Sequence, residues 1–219
     1  MSRVAYARAM TDARAARPGR PLGRPPRLRW SEILDAVDQL GYDAFTVTAV
    51  AERLGVRDST LYNYIDGRDQ LRAAACHRAL GEVRLRHDAA TGWVDYLVRV
   101  DLSLREVAAR RPGLADYYRY GPYLDGGLAV FETQIAELRR RLPGADDDYA
   151  FLLASHASST TLSFLASPAV GDDVIRRVLT HTLPALHEAL GGHAPTGVSW
   201  RRLRDELRAG AVPVPRAAR

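Results

Sequence analysis

The stretch 45–71 constrains the fold more than any other part of the chain; it reads FTVTAVAERLGVRDSTLYNYIDGRDQL. Apolar residues recur at helical spacing over 47–54, which predicts a short helix with one apolar face. Gly55 follows at once, and glycine readily adopts the left-handed conformation that ends many helices. A second short helix is predicted at about 58–64. Two helices joined by a turn of about three to four residues that contains glycine form a helix-turn-helix.

The second of these helices presents mostly polar side chains to its surroundings. The spacing of its apolar residues requires burial only of Leu61 and Ile65. The other side chains can donate or accept hydrogen bonds, which suits the base edges and phosphates of DNA. We expect this helix to lie in the major groove of a duplex; the alternative is that it only packs a small helical bundle. The outward residues are Arg57, Asp58, Ser59, Thr60, Tyr62, Asn63 and Tyr64.

The helix-turn-helix resembles the DNA-binding module of the TetR family of bacterial transcription regulators. The resemblance rests on T-V-x-x-V-A-x-x-L-G-V at 46–56, on T-L-Y at 60–62, and on the basic Arg68 followed by Leu71. Arg68 stands where the family usually has lysine, so the charge is kept. Arg57 stands where the family usually has a serine or threonine helix cap, which suggests that Arg57 reaches DNA instead.

Two groups of DNA contacts are expected in this module. The residues expected to bind phosphates are Thr46, Tyr62, Tyr64 and Arg68. The residues expected to contact bases are Thr48, Arg57, Asp58, Ser59 and Asn63, and Thr60 completes the set. Asp58 or Ser59 is also expected to help cap the second helix.

Residues 1–28 are rich in arginine and proline, and we expect them to form a disordered arm. Proline excludes a long helix there, and the low apolar content argues against a packed core. The first thirty residues carry a net charge of +7 and the next forty-five carry −4, so the arm supplies positive charge for DNA. The RPGRPLGRPP piece resembles the Gly-Arg-Pro element of AT-hook segments, which lie in the minor groove. Arg20, Arg24 and Arg27 are therefore expected contacts; the alternative is a solvated tail that only adds nonspecific attraction.

The whole chain is predicted to be all-α, with two domains. A helix at about 30–41 precedes the helix-turn-helix and completes a three-helix DNA-binding domain at 29–75. A larger helical domain for ligand binding and dimerisation is expected at 76–210, followed by a loose tail at 211–219. Apolar spacing predicts further helices at 69–87, 93–111, 124–142, 147–166, 172–190 and 199–208. Pro184 is expected to kink or split its helix.

The larger domain contains the residues expected to bind a small-molecule effector. Its segment GWVDYLVRVDLSLREVAARRPGLADYY resembles, more loosely, the start of the ligand domain in the tetracycline-repressor branch of the family. The tyrosines after Pro112 and Gly113 could line a pocket or could pack an ordinary corner. His156 could contact the ligand or lie in a core or interface. The expected ligand-binding residues are Leu97, Asp101, Leu104, Tyr117, Tyr120, Tyr123, Phe131, His156 and Thr160.

A homodimer is implied by the same resemblance. In the family, two C-terminal helices pair with their twins as a four-helix interface, and the helices at 147–166 and 172–190 are the candidates. A two-fold dimer places two reading heads about 34–36 Å apart, or one turn of duplex. The double-stranded operator would then be an imperfect palindrome.

Several other classes of chemistry find no support in the sequence. The chain has no lysine and therefore no phosphate loop of the G-x-x-x-x-G-K type. We predict no catalytic residues, no metal site and no cofactor; Arg110 and Arg111 replace the histidine that helps hold a metal-chelated drug in the tetracycline-binding branch. The single Cys76 excludes an internal disulfide. Since no apolar run approaches the roughly 18 residues of a membrane span, we expect a cytoplasmic, nucleoid-associated protein.

The sequence therefore predicts a ligand-responsive DNA-binding regulator. The simplest form is a repressor that binds its operator as a homodimer and is released by a small hydrophobic effector. Two alternatives stay open. One is a helical small-molecule-binding enzyme with a vestigial helix-turn-helix, and the other is a nonspecific architectural DNA-binding protein.

Overall fold

The computed structural model describes residues 28–86, 88, 91–121, 128–165, 167 and 169–208. Within those ranges the chain forms ten helices and no strand, which confirms the all-α prediction. The expected contacts of Arg20, Arg24, Arg27 and Tyr123 lie outside the described residues.

The N-terminal helices pack around a small apolar core. Their bounds are α1 Trp30–Leu40, α2 Val47–Arg53, α3 Asp58–Leu61 and α4 Arg68–Leu80. α1 packs on α2 and α4, and α2 packs on α3. Ile33 and Val37 of α1, Val50 of α2 and Leu71 of α4 are fully buried between them. This core holds the helix-turn-helix rigidly enough to present one outer face.

Local signals define α2 and the turn that follows it. The Thr46 hydroxyl accepts a hydrogen bond from the Ala49 N–H at 3.0 Å and so caps the helix. Gly55 has a φ of 66°, the left-handed conformation expected for it. The turn therefore follows from residues that are adjacent in sequence.

α3 and α4 are both shorter than the sequence pattern predicts. α3 covers four residues, because the N–H groups of Asn63 and Tyr64 bond to carbonyls three residues back, in the tighter geometry of a helix end. α4 ends at Leu80, about two turns earlier than expected. Beyond it, the Arg84 N–H donates to the Ser103 hydroxyl at 3.0 Å, so the backbone bonds to a residue further along the chain and does not continue the helix.

The C-terminal helices form a larger bundle. Their bounds are α5 Trp93–Ala109, α6 Leu114–Tyr120, α7 Ala129–Arg141, α8 Asp147–Ser163, α9 Asp172–Leu190 and α10 Trp200–Arg208. α5 lies at the centre and packs on α7, α8 and α9, while α10 packs on α8. The core between them contains Leu97 and Leu104 of α5, Leu153 of α8 and Leu179 of α9.

α9 runs without a break through Pro184, so the expected split is wrong. Pro184 lies on the exposed side of the helix. Water can therefore bind the carbonyl that proline leaves without a donor. α8 ends at Ser163, short of the expected 166.

Three further observations concern membrane spans, metal ligands and the cysteine of the described residues. None of their helices combines the length and apolar character that a membrane crossing requires. No group of three or more His, Cys, Asp or Glu side chains in the same residues could hold a metal ion. Cys76 is fully buried, and burial raises the pKa of its thiol to about 12, so it is a small core residue.

Candidate nucleic-acid interface and effector cavity

The outer side of the helix-turn-helix presents exposed aromatic and polar side chains. Leu61 is fully buried and anchors α3 to the core. Tyr62 and Tyr64 are 56% and 37% exposed, and large apolar groups left exposed together often mark an interaction surface. The exposed polar residues beside them are Arg57, Ser59 and Asn63. Asp58 and Thr60 are half-buried. This surface, from Arg57 to Tyr64, is called the reading face.

Two residues expected to contact bases bond to each other. The Thr48 hydroxyl donates to Oδ2 of Asp58 at 2.6 Å and ties the start of α3 to α2. Arg57 occupies the cap position with extended backbone angles, and no side chain caps α3. The expectation that Asp58 or Ser59 caps this helix is therefore wrong, because the Asp58 carboxylate is held by Thr48 instead.

Arg68 has an internal role that the sequence did not reveal. Its Nε donates to the Phe45 carbonyl at 2.8 Å, and its Nη2 donates to the Asp43 carbonyl at 2.7 Å. The guanidinium lies 5.1 Å from the centroid of the Phe45 ring, within the range of a cation–π interaction. Arg68 thus holds the loop between α1 and α2 against the start of α4. A phosphate contact by the same side chain stays a prediction.

A corner of the C-terminal domain docks on this loop. The Tyr42 N–H donates to the Pro112 carbonyl at 2.9 Å. Gly113 follows with a φ of 85°, and a Cβ atom at this position would lie only 2.8 Å from the Asp43 nitrogen. Glycine is the residue that permits both the conformation and the close approach.

Ion pairs surround the same contact. Arg111 has a side chain only 12% exposed, bonds to Glu82 and lies 3.6 Å from Asp38. Arg78 pairs with Asp38 at 2.8 Å and with Asp35 at 2.6 Å. These pairs and the Pro112–Gly113 corner together form the interdomain joint, which links α1 and the region around the end of α4 to the end of α5.

A cavity of about 600 Å³ is lined by residues of α6, α7, α8 and α10. Aromatic rings form one side of it. The ring centroids of Phe151 and Trp200 lie 4.8 Å apart, those of Phe131 and Trp200 lie 6.2 Å apart, and Tyr118 lies 4.8 Å from Phe131. This volume suits a small organic molecule. The lining residues are Tyr118, Arg119, Tyr120, Phe131, Phe151, Ser155, Ser158, Ser159, Leu162, Ser163, Trp200, Leu203 and Leu207.

Hydroxyl groups of α8 form another side of the cavity. Ser155, Ser159 and Ser163 lie about one helical turn apart, with Ser158 beside them. The Ser158 hydroxyl is 3.2 Å from the Tyr118 hydroxyl, within hydrogen-bond distance. The cavity therefore offers both an aromatic surface and hydrogen-bonding groups.

α10 forms a wall of the cavity. Trp200 is 3% exposed, and its backbone N–H donates to Oδ1 of Asp148 at 2.7 Å. Leu203 and Leu207 lie three and seven residues further along, on the same face. α10 thus completes a site built mainly by elements far from it in sequence.

Residues 36–75 match the family model described as bacterial regulatory proteins of the tetR family. The module at these residues is therefore that of the tetR-family bacterial regulatory proteins. It is also 30% identical over 74 residues to Rv0681 of Mycobacterium tuberculosis, described as an uncharacterized HTH-type transcriptional regulator. That match covers 32% of this chain and 34% of Rv0681, so about a third of the relative is represented.

Solved TetR-family structures share the fold over most of the chain. A TetR variant from Acinetobacter baumannii AYE in complex with minocycline matches with a TM-score of 0.60 at 20% identity, covering 77% of this chain and 95% of that one. SCO7222, a TetR from Streptomyces coelicolor, matches with a TM-score of 0.52 at 22% identity, covering 83% of this chain and 88% of that one. ActR of Streptomyces coelicolor in complex with (S)-DNPA matches with a TM-score of 0.52 at 17% identity, covering 82% of this chain and 93% of that one. At these identities the likeness shows the fold.

The TetR-family fold brings only some of the expected ligand residues to the cavity. Tyr120 and Phe131 line it. Leu97, Leu104 and Tyr117 are core residues that do not line it, because α5 is surrounded by other helices and Tyr117 packs inward. A direct ligand contact is not assigned to these three.

His156 and Thr160 are half-buried on α8 and do not line the cavity. The side of α8 that faces the cavity carries the serines, and His156 is rotated by about 100° from Ser155 around the helix axis. Phe151, Trp200 and the serines of α8 were not among the expected residues. The spacing of the apolar residues in α10 was a usable signal, since a short amphipathic helix needs a surface to cover.

Asp101 is fully buried next to Ser158. Neither carboxylate oxygen has a partner of full hydrogen-bond geometry among the described residues. Burial raises the pKa of Asp101 to about 8, and the Ser158 hydroxyl opposes this with a smaller effect. The carboxyl group is therefore mostly protonated at neutral pH.

Replacing Asp101 with asparagine is expected to remove part of the pH dependence of stability. The pKa of this carboxyl rises from an ordinary 3.8 to about 8 on folding, so the folded state holds the proton more tightly. The stabilisation of the folded state by this tighter proton binding is fully present below about pH 4. It is lost as the pH rises to 8, at up to about 1.4 kcal/mol per pH unit. Urea unfolding between pH 5 and 8 measures this slope. Asp101→Asn should flatten the slope, and the exposed Asp116→Asn should not; parallel slopes in all three proteins would contradict the assignment.

Proposed function

We propose that this chain is a homodimeric repressor that binds a palindromic operator and leaves it when a small molecule fills the cavity. The position of α6 carries this proposal. α6 starts at the Pro112–Gly113 corner on the DNA-binding domain, and it contributes Tyr118 and Tyr120 to the cavity. A ligand that displaces α6 therefore acts directly on the interdomain joint.

The reading face supports the DNA-binding part of the proposal. Tyr62 and Tyr64 project from the end of α3, where hydroxyl groups can donate to phosphates. Arg57, Ser59 and Asn63 are exposed beside them and suit base edges. Because Leu61 fixes α3 to the core, these side chains enter a groove as one rigid group.

Half-buried residues on α8 and α9 support dimerisation. Leu152, His156 and Thr160 form a stripe on the side of α8 that does not line the cavity. Val178 and Leu186 of α9 are also half-buried, although α9 already covers its main apolar face against the core. A second copy of the chain would bury both stripes and place two reading faces about one turn of duplex apart.

The coupling between effector binding and operator binding that is expected of such a repressor is moderate. An effector that binds better to the conformation with the wrong head spacing lowers operator affinity by about 5–150-fold, or about 1–3 kcal/mol. Two proteins of the same fold are in complex with small molecules, minocycline and (S)-DNPA, which supports a small-molecule effector.

A gel-shift titration tests the proposal. DNA from upstream of the protein's own gene should be retarded at lower protein concentration than a scrambled duplex of equal length. Compounds found by a thermal-shift screen of small hydrophobic molecules and antibiotics should reverse the shift. Equal affinity for the scrambled duplex would favour an architectural protein. Chemical conversion of a bound compound would favour an enzyme.

A further inference from the structure

Arg119 gives the cavity its charge. It is the only charged side chain among the described residues that line the cavity. It is half-buried, and no described acidic side chain pairs with it. A partly desolvated guanidinium in a largely aromatic wall gains most from an anionic partner, since charge-assisted hydrogen bonds to carboxylates are short and strong. The geometry of guanidinium allows two parallel bonds to one carboxylate.

The shape of the cavity defines the rest of its partner. Phe131, Phe151 and Trp200 come from three different helices, and the Trp200 ring centroid lies 6.2 Å from that of Phe131 and 4.8 Å from that of Phe151. Such a cluster favours a ligand with a flat aromatic ring, which can stack or pack edge to face. Ser155 and Ser159 supply hydroxyl groups for neutral oxygen atoms of the ligand.

We propose that the effector is an aromatic carboxylic acid, with its carboxylate on Arg119 and its ring system on Phe131, Phe151 and Trp200. This refinement rests on the function proposed above, because it identifies the chemical class that the effector cavity takes. The cavity volume of about 600 Å³ admits a molecule of several rings.

A buried acid near the cavity does not reverse this preference. Asp101 lies next to Ser158 but does not line the cavity. Asp101 itself acts on Tyr96 of its own helix and on Tyr118 of α6, two buried tyrosines whose pKa is raised first by burial and further by the Asp101 charge. Because burial also keeps the Asp101 carboxyl mostly protonated at neutral pH, Arg119 sets the charge that a ligand meets.

Matched ligands test the proposed chemistry with the full-length protein. The panel consists of naphthoic, anthracene-carboxylic and biphenyl-carboxylic acids, each with its primary amide and its aminomethyl analogue. Isothermal titration calorimetry should show that the acids bind about tenfold or more tighter than the amides and amines, the size of one charge-assisted hydrogen bond. The inference is overturned if amides or amines bind as well as the acids, or if no acid binds with a Kd below about 1 mM.

Variants of Arg119 assign the preference to one side chain. Arg119→Gln should weaken acid binding about tenfold and leave amide binding unchanged, so that the two classes bind alike. Arg119→Lys should retain part of the preference, because it retains the charge. Arg99→Gln is the control, since Arg99 is exposed in an ion pair with Asp95 and does not line the cavity. An unchanged acid preference in Arg119→Gln overturns the inference.

Operator release, measured separately, distinguishes this inference from the proposed function. If amines or neutral compounds bind and release DNA, the ligand class is wrong and the repressor function stands. If acids bind through Arg119 and never release DNA, the ligand class stands and the effector role fails.

Discussion

Replacing Tyr62 with alanine is expected to weaken operator binding by about 10–100-fold and to leave the free energy of unfolding nearly unchanged. Tyr62 is 56% exposed at the end of α3, so its side chain contributes little to the core. Its hydroxyl is expected to donate to a phosphate, and a hydrogen bond to a charged group is worth about 1.5–3 kcal/mol. Fluorescence anisotropy with a labelled operator, at one stated salt concentration, measures the change.

The control for Tyr62 is another exposed tyrosine in the other domain. Tyr120 is 45% exposed and lines the cavity between α6, α7, α8 and α10. Tyr120→Ala should therefore leave operator affinity unchanged in the absence of effector. Two outcomes would refute the reading face: an unchanged affinity in Tyr62→Ala, or an equal loss in both variants. A large loss of stability in Tyr62→Ala would mean that the residue supports the fold and not the DNA contact.

Replacing Gly113 with alanine is expected to destabilise the protein by about 2–5 kcal/mol, the sum of a conformational and a steric contribution. The φ of 85° is left-handed, which costs a residue with a Cβ about 1–2 kcal/mol. The new Cβ would also lie 2.8 Å from the Asp43 nitrogen and 3.0 Å from the Asp43 Cβ, and overpacking of this kind costs about 1–3 kcal/mol. Urea unfolding monitored by circular dichroism gives the total.

Gly144→Ala separates these two contributions. Gly144 has a φ of 91°, and a Cβ there would meet nothing within 4 Å. It should therefore lose only the conformational part, about 1–2 kcal/mol. If both variants lose the same amount, the contact with Asp43 has no energetic weight, and the interdomain joint does not depend on Gly113.

The Gly113 variant also tests how the domains communicate. The steric conflict should push the Pro112–Gly113 corner away from the loop that Arg68 holds. A loosened joint should reduce the effect of the effector on operator affinity, even where both ligands still bind. Normal effector-induced release in Gly113→Ala would show that the signal travels by another route.

The helix-turn-helix could be predicted because its determinants are close together in sequence. The cap by Thr46, the left-handed Gly55 and the buried Leu61 are each readable from a few neighbouring residues. The lengths of α3 and α4 could not be predicted with the same success. Both end where tertiary hydrogen bonds or a tight turn compete with the helix, as at Arg84 and Ser103.

Arg68 shows that a correctly identified motif does not predict every contact of its residues. The sequence identified a basic residue at a family position, and a phosphate contact was the direct interpretation. The structure shows that its guanidinium reaches back over twenty residues to Asp43 and Phe45. No local pattern reports a contact across that separation.

What the sequence determined by itself is the class of the chain: an all-helical protein whose N-terminal module has the spacing, caps and outward polar residues of a helix-turn-helix. Those properties are set by residues within a few turns of one another. Only the tertiary structure decided which residues line the cavity, because that set depends on the angles at which α6, α7, α8 and α10 meet. Arg119, Phe151 and Trp200 are ordinary helix residues in the sequence, and packing alone makes them neighbours.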